Sequence, residues 1–134
     1  MSRNILKISD AASIAIHAMV LLAQNKDQIL SLKEISQKFG VSANHLSKIM
    51  QRLHKAGLIL SIKGRNGGFK LINEPNEINF MQIYEIFDGT LTENNCLLTH
   101  VGCKSNCIFG DLINSINAQV KEKFNKTFLS EFVK

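Results

Sequence analysis

The apolar and polar positions near the start of the chain follow a helical spacing. Residues 12–23 are apolar and rich in alanine, and Ser9 or Asp10 can cap the segment. This pattern predicts a buried first helix, because a helix that is apolar around most of its circumference must be covered by other elements. A polar connection over residues 25–28 follows it.

Two short helices are predicted next. Ser31 and Glu34 have the spacing of a capping box at the start of one helix, which ends at Gly40. Ser42 can cap a second helix over residues 43–56, whose apolar residues recur at helical spacing. These are Leu46, Ile49, Met50 and Leu53. Two short helices joined by a tight, glycine-containing turn predict a helix-turn-helix.

A basic β-hairpin is predicted directly after this motif. Residues 58–63 and 69–72 have the composition of β-strands. Between them, the segment Gly-Arg-Asn-Gly-Gly at 64–68 supplies the positive φ angles that a hairpin tip needs. A basic hairpin that follows a helix-turn-helix is typical of the wing of a winged helix.

The rest of the chain is predicted to be mainly helical. Asn79 can cap a helix over residues 80–87, whereas residues 90–107 have no clean period and predict a loop. Helical spacing returns from residue 108 to about residue 124, and a last short helix is predicted over 127–133. The apolar face of the long helix consists of Leu112, Ile113, Ile116, Val120 and Phe124. The predicted fold is mainly α with a small β-hairpin: a winged helix-turn-helix followed by a long C-terminal helix.

The net charge of +5 is concentrated in one third of the chain. The 39 residues between Glu34 and Glu74 contain seven basic and no acidic residues, whereas the remainder has nine basic against eleven acidic residues. A basic segment without acids suits the surface of a polyanion. A winged helix that binds another protein is the alternative, but such a surface has no need to exclude Asp and Glu.

The second helix of the motif is expected to lie in the major groove of double-stranded DNA. Its polar residues point away from the apolar stripe and include side chains that can pair with base edges. They are Ser42, Asn44, His45, Lys48, Gln51 and Arg52. Phosphate contacts are expected from Lys55, Lys63 and Lys70, and Arg65 at the wing tip is expected to enter the minor groove. Asn66, also at the tip, is predicted to be a DNA-binding residue.

Three cysteines lie within twelve residues, at Cys96, Cys103 and Cys107. The chain has no segment resembling a signal peptide or a membrane span, so a reducing cytoplasm is expected, where clustered cysteines favour metal binding or redox chemistry. Thiolates suit an iron–sulfur cluster. Zinc is an alternative, because His100 would complete a four-ligand set. Thiols without a metal are the third interpretation.

The combined order of these motifs resembles the BadM/Rrf-two family of bacterial winged-helix regulators, which has IscR-like and NsrR-like members. The resemblance rests on residues 42–53, Ala-Gly-Leu-Ile at 56–59 and Gly-Arg-Asn-Gly-Gly-Phe-Lys-Leu at 64–71, and it extends over nearly the whole chain. It implies a homodimer in which the long C-terminal helix crosses to the second subunit. It also implies a 2Fe–2S or 4Fe–4S cluster held by the three cysteines and one further ligand. The cysteine spacing of six and then three residues departs from the five and five that many members have.

The resemblance leaves the fourth ligand of the cluster open. IscR-like members have a histidine three residues after the last cysteine, where this chain has Gly110. His17, on the first helix, is the leading candidate because some relatives have a ligand histidine at that place, and it would come from the partner subunit. Asp10 resembles the aspartate of nitric-oxide sensors, although Ser13 is the matching position. The remaining candidates are His100 and Asp111.

Three functional parts are therefore predicted: a DNA-binding domain at 1–89, a cysteine-containing sensor loop at 90–108, and a dimerisation helix and tail at 109–134. The predicted function is a sequence-specific transcriptional repressor that responds to iron–sulfur status, nitric oxide or redox state. The alternative is a metal-free or zinc-stabilised regulator controlled by thiol oxidation or by a protein or metabolite partner. An enzyme is not expected, because the sequence has neither a phosphate-binding glycine loop nor a nucleophile elbow.

Overall fold

The computed structural model describes residues 8–91, 109 and 111–133. Within these residues the chain forms five α-helices and one two-stranded antiparallel sheet. The predicted fold class, mainly α with a small hairpin, is confirmed. The α-helices and strands are α1 Asp10–Gln24, α2 Leu32–Phe39, α3 Ala43–Lys55, β1 Ile59–Ile62, β2 Gly68–Leu71, α4 Phe80–Asp88 and α5 Leu112–Lys126.

Helix α1 lies in the middle of the core. Ser9 caps it, because its hydroxyl accepts a hydrogen bond from the Ala12 amide at 3.0 Å. Small alanines on α1 allow close approach of other helices, while Met19 and Leu22 fill the space between them. The helix packs against α3, α4 and β2. Helix α1 is therefore in direct contact with the helix-turn-helix.

Helices α2 and α3 form the predicted helix-turn-helix. The capping box is present, with the Glu34 amide donating to Ser31 Oγ at 3.1 Å. Gly40 ends α2 in the left-handed conformation, with φ of 66°. Ser42 caps α3 by accepting from the His45 amide at 3.1 Å. The apolar stripe of α3 is buried as predicted: Leu46, Ile49, Met50 and Leu53.

The wing is a hairpin in which Ile59 pairs with Leu71 and Ile62 with Gly68. Strand β1 is shorter than the predicted segment 58–63, whereas β2 has the predicted length and begins one residue earlier than predicted. A further pairing was not predicted: Leu30, just before α2, forms an antiparallel bridge with Phe69. The Phe69 amide donates to the Leu30 carbonyl at 2.8 Å, and the Leu30 amide returns a bond of 3.1 Å. This bridge attaches the wing to the start of the helix-turn-helix.

The start of α4 is hydrogen-bonded to the segment that follows α5. The Phe80 amide donates to the Thr127 carbonyl at 2.9 Å, and the Leu129 amide donates to the Ile78 carbonyl at 3.0 Å. The helix predicted over residues 127–133 is a short 3-10 helix at Leu129–Phe132. Leu129 is fully buried, so this turn anchors the C-terminal segment to the core.

Candidate nucleic-acid interface

The outer face of α3 carries the side chains that were predicted to read bases. Asn44, His45, Lys48 and Gln51 are exposed, on the side of the helix opposite its buried stripe. Ser42 is also exposed, but its hydroxyl is used to cap the helix. The first turn of α3 therefore presents the Asn44 amide and the His45 imidazole without an acidic neighbour in that turn, and Lys48 adds an ammonium group in the next turn.

The position of the wing relative to α3 is fixed by two contacts. The Leu58 amide donates to the Leu53 carbonyl at 3.2 Å. A ring nitrogen of His54, Nδ1, lies 3.1 Å from the Ile59 carbonyl oxygen, which ties the last turn of α3 to the first residue of β1. This role of His54 could not be predicted, because no pattern in the sequence shows that the Ile59 carbonyl returns to the last turn of α3.

The other predicted DNA-contacting residues, at the end of α3 and in the wing, remain at least partly available to solvent. Lys55, Lys63, Arg65 and Asn66 are exposed, and Lys70 is half-buried. Among the described residues, the ion pairs are Lys26 with Glu74 and Lys126 with Glu122, and neither involves α3 or the wing. The positive charge of this surface is therefore not neutralised by acids of the described chain, as expected for a phosphate-binding surface.

Arg52 is the exception on the outer face of α3, because its side chain contacts α4. The guanidinium carbon lies 4.5 Å from the centre of the Phe87 ring. One of its nitrogens also donates a hydrogen bond to the Ile86 carbonyl. The same turn of α4 contacts α1, because the Ser9 amide donates to Asp88 Oδ2 at 3.0 Å. The last turn of α4 is thus a junction between α1 and α3.

The predicted metal ligands are only partly within the described residues. Cys96, Cys103, Cys107 and His100 lie outside them, as does Gly110, so the sensor loop is described only at its ends. Within residues 8–91, 109 and 111–133, no three His, Cys, Asp or Glu side chains come together as a metal site. Asp111 is exposed at the start of α5.

The two candidate ligands on α1 occupy different surroundings. His17 is exposed, its Nδ1 lies 2.7 Å from the Ser13 carbonyl, and its ring meets Phe39 edge-on at 6.3 Å. Asp10 lies two turns earlier and lines a shallow depression together with His45 of α3. Their separation of seven positions in the sequence corresponds to about 10 Å along the helix. A single small metal site would therefore take one of the two from a given α1.

The family follows from comparison with known proteins. The family described as "Rrf2: Iron-dependent Transcriptional regulator" matches residues 8–134. This chain belongs to the Rrf2 family. A protein of Aquifex aeolicus (strain VF5), named as an HTH-type transcriptional regulator, is 30% identical to this Rrf2 protein over 129 residues, or 93% of this chain and 90% of that one.

Two further relatives of the Rrf2 chain carry more specific names. The HTH-type transcriptional regulator NsrR of Shouchella clausii (strain KSM-K16) is 38% identical over 78 residues, which are 58% of this chain and 52% of NsrR. The structure of CymR (YrzC), the global cysteine regulator of B. subtilis, has a TM-score of 0.79 and 29% identity, covering 94% of this chain and 95% of that one. These findings confirm the family resemblance found in the sequence.

Family membership establishes the general activity of this Rrf2 protein. It is a DNA-binding transcriptional regulator, and it is not an enzyme, because the family and the named relatives are transcriptional regulators. Among the described residues, no helix has the length and apolar character that crossing a bilayer requires. The signal to which the regulator responds is a separate question.

Proposed function

We propose that this Rrf2 regulator is a homodimeric repressor that reads a specific DNA site with α3 and the wing, and whose DNA affinity is set by an iron–sulfur cluster. The observation that supports the reading surface is the exposed face of α3. It presents Asn44, His45, Lys48 and Gln51 without an ion pair to any described acid. Such side chains pair with base edges in the major groove. The end of α3 would add Lys55, and the wing would add Lys63, Arg65, Asn66 and Lys70.

The proposal of a dimer rests on α5. This helix has 15 residues, corresponding to about 22 Å, and none of them is buried. Leu112 is 56% exposed, and Ile113, Ile116 and Val120 are only half-buried. Phe124, at the far end, is the residue of this face that packs against the core, with Tyr84 at 5.5 Å. A second copy of α5 would cover the remaining apolar face.

The proposal of a cluster rests on the donor set. Three thiolates at Cys96, Cys103 and Cys107 suit iron, and the family is described as iron-dependent. When bound, the cluster would supply a centre that reacts with oxidants or nitric oxide. The described residues would transmit its state, because α1 packs against α3 and carries both Asp10 and His17.

The fourth ligand is proposed to come from α1. Leu91, the last described residue before the cysteines, packs in one cluster with Ile8 and Ala12 at the start of α1. If the fourth ligand comes from the same subunit as the cysteines, this arrangement favours Asp10. His17 would instead be a ligand of the partner subunit's cluster. Anaerobic iron and sulfide quantitation of His17→Ala and Asp10→Ala distinguishes them, because loss of the true ligand lowers the cluster content or shifts the visible spectrum.

The reading surface is tested by DNA binding. A site selected from random duplexes is used to measure affinity by fluorescence anisotropy at fixed salt. We expect Lys48→Ala and Gln51→Ala to weaken specific binding by about 1–3 kcal/mol each. Lys121→Ala, an exposed lysine of α5, is the matched control and should bind as the unmodified protein does. If all three variants bound the selected site as tightly as the unmodified protein, the reading surface would have to lie elsewhere.

A second candidate is a regulator without a cluster, controlled by thiol oxidation. The observation that favours it is the similarity, over 92% of this chain at 26% identity and a TM-score of 0.74, to the structure of an oxidized form of Staphylococcus aureus CymR. Metal analysis separates the two. A colourless protein without iron or sulfide after anaerobic purification, whose DNA binding changes on treatment with a thiol oxidant, would support the second candidate. One zinc per chain would instead indicate a structural loop.

A further inference from the structure

Arg52 makes two contacts that a base-reading arginine does not need. The guanidinium lies against the face of Phe87 at 4.5 Å from the ring centre, and it donates to the Ile86 carbonyl. Among the described residues, no other side chain on the outer face of α3 forms a hydrogen bond or an aromatic contact with α4. Its neighbours Lys48 and Gln51 remain directed to solvent.

The chemistry of the two contacts is specific for arginine. Ile86 is in the last turn of α4, where carbonyls have no partner within the helix. The Gly89 amide uses Glu85 instead, at 3.1 Å. A cation at this end of a helix is favoured by the helix dipole. A planar guanidinium can stack on the ring and donate in its own plane at once, whereas a lysine ammonium cannot do both.

We propose that Arg52 is a positioning residue for DNA reading, which holds α3 against the last turn of α4 and sets the angle of α3 to the DNA. This inference rests on the proposed function, since it requires that α3 read DNA. Because Asp88 binds the Ser9 amide, the same turn is also fixed to α1. In a dimer with half-sites about 34 Å apart, a small rotation of each α3 would misplace all of its base contacts together.

The test compares two variants that break the Arg52 contact from opposite sides. Arg52→Lys keeps the positive charge but loses the planar guanidinium that stacks on the Phe87 ring. Phe87→Leu removes the ring but keeps an apolar side chain, and neither side chain has a polar atom that could contact DNA. Phe80→Leu is the matched control, because Phe80 lies on the same helix and contacts Phe124 and Phe132 rather than Arg52. Each full chain is titrated with the selected site, with non-specific duplex, and with sites altered at one base pair at a time.

We expect Arg52→Lys and Phe87→Leu each to weaken specific binding by about tenfold. The loss of discrimination should be spread over the whole half-site, and the salt dependence should be unchanged. The double variant should bind no more weakly than the weaker single variant, because both break one contact. Phe80→Leu should bind as the unmodified protein does, with all titrations made well below the unfolding temperature of each variant.

Three results would overturn the inference. Wild-type affinity in Phe87→Leu, with discrimination lost at a single base pair in Arg52→Lys, would make Arg52 a base-reading residue. An equal loss in Phe80→Leu would mean that α4 acts through general stability. Absence of specific binding by the unmodified protein would end the proposed function as well. If Phe87→Leu fails to fold, Arg52→Lys alone still tests the inference, because Arg52 is exposed. A loss of discrimination spread over the half-site supports a positioning role, and a loss confined to one base pair contradicts it.

Discussion

Position 68 in the wing accepts only glycine for a steric reason. A Cβ atom there would overlap with the carbonyl of Leu30 and with the Cα of Ser31, both of which are backbone atoms. The close approach is what allows Leu30 and Phe69 to form their two hydrogen bonds. The residue at 68 therefore controls how the wing attaches to the start of α2.

Replacement of Gly68 by alanine should separate the wing from residue 30. The backbone cannot give way as a flexible side chain would, so we expect the free energy of unfolding to fall by about 1–3 kcal/mol, the usual range for overpacking. Denaturant titration measures the change, and hydrogen exchange at the Leu30 and Phe69 amides locates it. Ser61→Ala, on the facing strand, should change stability by less than about 0.5 kcal/mol. Unchanged exchange at both amides in Gly68→Ala would refute the steric explanation.

Contacts between residues close in sequence could be predicted, whereas contacts between distant ones could not. The caps at Ser31 and Ser42 involve amides three residues away, so the residue types at that spacing were sufficient. The Ser9–Asp88 bond joins residues 79 positions apart. It depends on how α4 returns to α1, which no local pattern in the sequence records.

At the scale of elements, Tyr84 reports on how α4 packs. It is 7% exposed and meets the Phe124 ring of α5 nearly edge-on at 5.5 Å. Burial raises the pKa of the Tyr84 phenol above its ordinary value, and the negative charge of Asp88 raises it further. Because the pKa is raised in the folded state, the corresponding stability is present below pH of about 10 and is lost as the pH rises through the folded-state pKa.

Tyr84 is the one tyrosine of a chain without tryptophan, so its ionisation can be followed directly by tyrosinate absorbance. We expect the folded protein to titrate with a midpoint above about pH 10, and the denatured protein near pH 10. A variant Phe124→Ala should lower the midpoint, because it removes the ring that α5 places against Tyr84. Coincident titration curves for the folded and denatured protein would show that Tyr84 is not buried between these helices.

The apolar face of α5 should determine the oligomeric state. A glutamate at Ile116 would introduce a charge into the proposed interface, so we expect Ile116→Glu to be a monomer in analytical ultracentrifugation. Ala118→Glu places the same charge on the opposite, exposed side of the same helix and should remain a dimer. If both variants remained dimers, the interface would have to lie away from α5.

Helix α5 could be predicted from the period of its apolar residues, but the pairing of Leu30 with Phe69 of the wing could not. The apolar residues of α5 recur every three to four positions, which is sufficient to identify a helix and its apolar face. Leu30 lies between the polar connection at 25–28 and the cap residue Ser31, and its bridge to Phe69 depends on where the hairpin lies in space. The same limit applied to Arg52, whose exposure was predicted but whose contact with Phe87 was not.

At the scale of the whole molecule, the proposed reader and sensor meet at few points. α1 packs on α3 and carries two candidate ligands, and α4 contacts α3 through Arg52 and precedes the cysteine segment. The division into three functional parts and the ligand set remain predictions, because Cys96, Cys103 and Cys107 lie outside the described residues. The proposed function requires that a change at the cysteines alter the affinity of α3 for DNA.

The most direct test is the DNA affinity of one preparation in two states. The protein is purified without oxygen, its iron and sulfide are quantified, and its dissociation constant on the selected site is measured before and after the cluster is removed, at constant salt. We expect bound iron and sulfide and a change in affinity of about tenfold or more, within the usual range of coupling between sites. The change should disappear in Cys103→Ala. An iron-free protein, or equal affinity in both states, would contradict the account.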